Sequence, residues 1–280
     1  MSTEPDRRMT TVADVVAVLQ RHYPETEAES WDQVGLAVGS RSARVSRILY
    51  TVDVTLEVVE EAASRGADLI VAHHPLLLRG VHAVDLEHPK GRILAELLRR
   101  DISLYVAHTN ADIPPGGVVD SLAVALGLVA SRPLRSRPGA DAGTGLGRVG
   151  TVPGGLTLRE FVERVARVLP ATGGGIRVSG DLERPVTVVA VQAGAGDDLL
   201  DAARNAEADV YLTSDLRHHP ASEARSWPHG PALVDVSHWA AESVWLPVAQ
   251  QVVSSGLAER GLDVPADVST VCTDPWNHHR

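Results

Sequence analysis

The sequence is poor in cysteine, lysine and basic charge, and each shortage narrows what the chain can be. A single cysteine, Cys272, in 280 residues excludes a disulfide within the chain, so the fold does not depend on an oxidising compartment. Lysine occurs once, at Lys90, with arginine supplying the other basic side chains; we read that as coding bias rather than function. Lys+Arg 26 against Asp+Glu 36 gives a formal charge of −10, and such a surface repels nucleic-acid backbone and anionic membrane. No apolar run approaches the roughly 18 residues needed to span a bilayer. The acidic start leads into an apolar stretch at 12–19 that is too short and too acid-flanked for a signal peptide. The expectation is a cytoplasmic protein without membrane or nucleic-acid partners.

What is present is ordinary globular material. Apolar residues make up 44% and charged residues 22%, in a length that suits one large domain or two modest ones. Val12, Val15, Val16 and Leu19 recur at helical spacing and predict a helix over 11–21. Residues 29–39 read as a turn entering a short strand, and 47–52 as a strand ending at Asp53. Thr55 is suited to cap a helix through Arg65, with Gly66 as its stop. A strand at 68–72, a helix at 90–100 and a strand at 102–107 complete a βαβαβ rhythm, which implies a mostly parallel sheet.

The Pro-, Gly-, Ser- and Arg-rich stretch 131–147 lacks apolar periodicity and reads as a linker. Beyond it come a helix at 156–168, a triple-glycine break at 173–175 and a strand at 186–192. A helix at 198–207 and strands at 209–213 and 232–236 follow. A long helix at 239–255 and an extended return over 261–272 close the chain.

Metal-capable side chains concentrate just after predicted strands, where open α/β sheets collect ligands. His73 and His74 follow the strand at 68–72. Consecutive residues in mid-strand face opposite ways, but here the chain is turning and Pro75 holds His74 extended, so both imidazoles can serve neighbouring ions. His108, Asn110 and Asp112 follow the strand at 102–107. His238 and Glu242 lie one helical turn apart after the strand at 232–236. Asp215, His218 and His219 stand after the strand at 209–213, placed to ligate or to hydrogen-bond ligands and substrate. Gly194-Ala-Gly196 lacks the third glycine of a dinucleotide fingerprint and reads as a turn. Singly, each cluster also suits hydrogen-bonded surface residues. Together, three imidazoles and two carboxylates can support two divalent ions of Zn, Fe, Mn or Ni. Ions roughly 3.5–4 Å apart would acidify a shared water and leave open positions, as hydrolysis requires.

These blocks in this order resemble the dinuclear-metal-centre hexamer family labelled GTP cyclohydrolase 1 type 2 homologues. The resemblance is carried by Trp31-Asp32-Gln-Val-Gly35, Asp53-Val-Thr55 and the run from Ala67 to Pro75. It continues through His108-Thr-Asn110-Ala-Asp112, Gly117-Val-Val-Asp120, the run from Asp209 to His219, and Ser237-His238-Trp-Ala-Ala-Glu242. It implies a metal pair held by His73, His74, Asp112, His238 and Glu242, and a homohexamer. It also implies two α/β domains around mostly parallel sheets, the second inserted in the first, with the site in the cleft. On that pattern 1–130 plus 232–280 form the first domain and 148–231 the second. Ser214 and Ser237 depart from glycines usual in the family; the first restricts φ before Asp215, and the second can cap a helix.

Two functions fit. The first is a metal-dependent hydrolase of a small molecule, such as a nucleotide, cyclic amide or phosphoester, with His108, Asp215 and His219 as candidates for proton transfer or substrate hydrogen bonding. The second is a non-enzymatic hexameric scaffold that binds, stores or delivers metal.

Overall fold

A computed structural model describes residues 8–139, 141 and 143–280. The start read above for a leader falls, over residues 1–7, outside the described residues, as do positions 140 and 142 of the expected linker. The strands are β1 (Gly35–Val38), β2 (Ile48–Thr51), β3 (Leu69–Ala72), β4 (Ser103–Val106), β5 (Val129–Ser136), β6 (Gly145–Thr157), β7 (Arg177–Ser179), β8 (Pro185–Ala195), β9 (Val210–Ser214), β10 (Ala232–Val236) and β11 (Ala266–Val268). The helices are α1 (Val12–His22), α2 (Leu56–Arg65), α3 (Pro89–Arg99), the single turn α4 (Thr109–Asp112), α5 (Val118–Ala125), α6 (Leu158–Val168), α7 (Leu200–Asn205), α8 (His218–Ser226), α9 (His238–Ser243) and α10 (Leu246–Ala258). No helix among the described residues is long and apolar enough to cross a membrane.

The chain divides into two compact α/β units. The first comprises Met1–Ala111 and Leu246–Thr273, and the second Asp112–Trp245 and Asp274–Arg280.

The first unit is built on a sheet of order β1-β4-β3-β2-β11. Strands β2, β3 and β4 pair in parallel and are buried along their whole length. That burial is why β3 reads as an unbroken apolar run rather than an alternating one. Edge strand β1 pairs antiparallel with β4, and β11 returns parallel to β2. Helix α2 begins as expected, Thr55 accepting from the Val58 N–H at 3.2 Å. It stops at Gly66, whose φ of 69° is left-handed and costs glycine nothing. Val58, Val59 and Ala62 of α2 pack with Ile70, Leu97 and Leu104 in one core.

The second unit carries a mixed sheet of order β5-β6-β8-β9-β10-β7. Its β8, β9 and β10 run parallel, while β5, β6 and β7 add antiparallel pairings. The stretch 131–147 is not a linker: β5 and β6 pair antiparallel across it, with Ser136 opposite Gly145. Its glycines and prolines punctuate a hairpin instead of joining domains. Inside it Arg148 is 2% exposed, pairs with Asp120 and donates to the carbonyls of Gly145 and Gly147 at 2.8 Å.

The domain boundaries also move. Strand β10 belongs to the second sheet, so His238 and Glu242, with Asp112, lie in the second unit. The single helix expected over 239–255 is two, α9 and α10. Pro247 has no N–H to donate and its ring crowds the carbonyl four residues back, so the helix breaks there and the chain changes unit. Strand β7, three residues beside glycines, carried no legible pattern.

Candidate metal centre

In the first unit the carboxyl ends of β3 and β4 assemble three imidazoles. Beyond β3 the ladder to β2 continues for two residues, His73 N–H donating to Thr51 O at 3.0 Å and His74 N–H to Val52 O at 2.8 Å. The turn before Pro75 then brings both side chains round, their ring centroids 5.0 Å apart. His108, past the end of β4, adds a third ring at 5.2 Å from His73 and 5.5 Å from His74. One ligand nitrogen from each of the three lies within 4.8 Å of the others.

Each ring is aimed by a bond at Nδ1. His73 Nδ1 donates to Ala107 O at 2.8 Å, His74 Nδ1 meets Asp53 Oδ1 at 2.7 Å, and His108 Nδ1 meets Asp32 Oδ1 at 2.9 Å. A proton fixed on Nδ1 leaves the Nε2 lone pair to present to a ligand. Asp32 is the anchor of this arrangement: its side chain is fully buried and also accepts from Thr109 N–H at 3.0 Å and Thr109 Oγ1 at 2.5 Å. Burial alone would raise its pKa, but the bonds from His108 and Thr109 outweigh it and hold the carboxyl at about 2.

The second unit carries its own set of metal-capable side chains. Ser237 caps α9, accepting from the Ala240 N–H at 3.2 Å, and its hydroxyl donates to Asp274; this is the cap that the serine suggested. His238 opens the helix, and its Nε2 lies 2.9 Å from Glu242 Oε1 one turn on. Its Nδ1 meets Asp215 Oδ2 at 2.6 Å. That hydrogen bond pulls the Asp215 carboxyl below its ordinary pKa against the opposing effect of burial. Ser214 ends β9 without strain, and the left-handed φ of 57° falls on Asp215 itself. Glu242 is 3% exposed and Asp112, at the end of α4, is 8% exposed. His219 lies exposed on α8 with its ring against His218 at 5.2 Å.

These donors fit a transition-metal ion. They are imidazole nitrogens whose Nδ1 atoms are held by a carbonyl or a carboxylate, set with the buried carboxylates of Asp112 and Glu242. Gly194 supplies an independent test. It lies inside β8, not in a turn, with φ 76°. A Cβ there would stand 2.6 Å from Glu242 Oε1 and 2.9 Å from His238 Nε2, so only glycine keeps the space beside that pair clear. Sequence reading missed Gly194, Asp32 and Asp53 as parts of the site. For Asp53 the signal was its place at a strand end.

The sequence profile of the Duf34/NIF3 (NGG1p interacting factor 3) family matches residues 10–275. A Streptomyces coelicolor protein named GTP cyclohydrolase 1 type 2 homolog is 47% identical, over 97% of this chain and 95% of its own length. A Mycobacterium bovis protein of the same name is 32% identical, over 95% of this chain and 96% of its own. Among solved structures, a Bacillus cereus protein related to NIF3 superposes with a TM-score of 0.89 at 26% identity, covering 96% of this chain and 99% of that one. The blocks that carried the resemblance in the sequence thus sit within a match over nearly the whole length, and the chain belongs to the Duf34/NIF3 family.

Proposed function

We propose that the protein is a metal-dependent hydrolase of a small molecule, in which His73, His74, Asp112, His238 and Glu242 hold two divalent ions of Zn, Fe, Mn or Ni. The observation that carries this reading is the repeated carboxylate–imidazole device: Asp53 on His74, Asp215 on His238 and Asp32 on His108. Such partners set the tautomer of the histidines they hold and raise the basicity of the two that would ligate, His74 and His238. When bound, the ions supply Lewis acidity and an acidified water.

The protein's own residues divide the remaining work. Asp53 and Asp215 orient their histidines and do not themselves shuttle protons. His108, fixed at Nδ1 by Asp32, keeps Nε2 to accept a proton or to hydrogen-bond substrate. The label carried by relatives suggests action on GTP, and function follows the site more closely than the fold. We propose further that the chain works as a cytoplasmic homohexamer.

Elemental analysis of protein purified without added metal is the test, followed by turnover on nucleotide and phosphoester panels. Up to two ions per chain, lost on Glu242→Ala and His74→Ala, is the expected result. Protein that neither retains nor takes up metal refutes the reading. Metal without turnover replaces hydrolysis by the metal-handling role, and solution mass decides the assembly.

A further inference from the structure

Trp31 is a large aromatic side chain left 58% exposed at the edge of the histidine cluster. Its ring stands edge-on to His108, with centroids 5.9 Å apart at 80°, and His108 in turn abuts His73 and His74. The turn that carries it is tied down on both sides. Glu29 N–H donates to Thr109 Oγ1 at 2.9 Å, and Asp32 N–H closes on Glu29 O at 2.9 Å. The Asp32 carboxylate is clasped by His108 and Thr109.

The other exposed tryptophans are placed differently. Trp227 has the Arg204 guanidinium over its ring at 4.0 Å, and Trp276 lies in the C-terminal segment near Gly174. At Trp31 the indole is fixed beside metal-capable nitrogens. A flat, rigid, water-exposed ring gains by being covered with another flat ring, and little conformational freedom is lost in doing so.

We propose that Trp31 is a stacking platform for a planar heteroaromatic ring of the substrate, whose other end is held at the histidine cluster. This rests on the metal-site reading and narrows its substrate class. The ligand joins a flat ring to an anionic, metal-binding group one ring's breadth or more away, as in a nucleoside monophosphate. Trp31 sets specificity and binding; it moves no proton.

The test titrates the full-length, Zn-loaded protein with AMP and with ribose 5-phosphate by calorimetry, measuring bound metal on the same samples. The expected result is that AMP binds more tightly than ribose 5-phosphate. Trp31→Ala should weaken AMP by roughly tenfold or more and leave ribose 5-phosphate and metal content unchanged, while Trp31→Phe keeps most of the affinity. The proposal is overturned if AMP has no advantage, if both ligands weaken alike, or if Trp31→Ala leaves AMP unaffected. It is also overturned if that variant lowers the solution mass, because Trp31 then packs against another copy. Metal content reports separately: protein that cannot be loaded refutes the metal site, whereas the ratio of the two affinities and its dependence on residue 31 report on stacking alone.

Discussion

Replacing Asp32 by asparagine probes the anchor of the histidine cluster. The carboxylate accepts from Gln33 N–H and His108 Nδ1 on Oδ1, and from Thr109 N–H and Oγ1 on Oδ2. Every partner is a donor, so an amide of the same shape must aim its own N–H₂ at one pair of them. The folded carboxyl titrates at about 2 against an ordinary value of 3.8. At roughly 1.4 kcal/mol per pH unit, the difference corresponds to about 2 kcal/mol. The side chain is fully buried, so solvent screening does not reduce this figure. Because the folded value is depressed, the contribution is complete above about pH 5, and it fades as the pH falls through 3.8 toward 2. At pH 7, Asp32→Asn should therefore lower unfolding stability by about 2–4 kcal/mol, counting the mismatched donors. That is a fall in Tm on the order of 5 °C or more. Urea unfolding of metal-free protein at pH 7 and pH 3 measures it. The gap between the two proteins should shrink by about half at pH 3, the other carboxylates cancelling in the comparison. A gap that is the same at both pH values, or below about 0.5 kcal/mol at pH 7, would refute the reasoning.

Three further outcomes follow from particular contacts. Asp53→Asn leaves the proposed ligands intact but loosens His74, and should weaken metal binding about 10–100-fold by competition with a chromophoric chelator. Gly194→Ala places a methyl 2.6 Å from Glu242 Oε1; metal content should fall sharply while stability in urea drops by only about 1–3 kcal/mol. Arg148→Met strips the guanidinium from Asp120 and from the carbonyls of Gly145 and Gly147, which should cost about 3–5 kcal/mol in thermal unfolding. A loss near zero there would mean that the buried pair contributes nothing.

Much of the first unit was legible because its cues are local. The Thr55 cap, the Gly66 stop and the unbroken apolar run of β3 are each set by a few neighbouring residues. The second unit was harder. A hairpin rich in Pro and Gly has the composition of a linker until its two arms are seen to pair, and a three-residue edge strand such as β7 offers too short a pattern to read. The site shows the same divide. His73, His74, His108, His238 and Glu242 stood out by type and spacing, whereas Asp32, Asp53 and Gly194 matter through partners far along the chain.

The order of residues alone determined the α/β character of this protein, the family to which it belongs, and the side chains able to ligate metal, because periodicity, caps and residue chemistry act over a few positions. Only the tertiary structure decided that β10 joins the second sheet and that Pro247 marks a change of unit. It also decided which carbonyl or carboxylate aims each imidazole and where a side chain must be missing. Those outcomes depend on which strands lie side by side, and hydrogen bonds between residues tens of positions apart have no signature in local sequence.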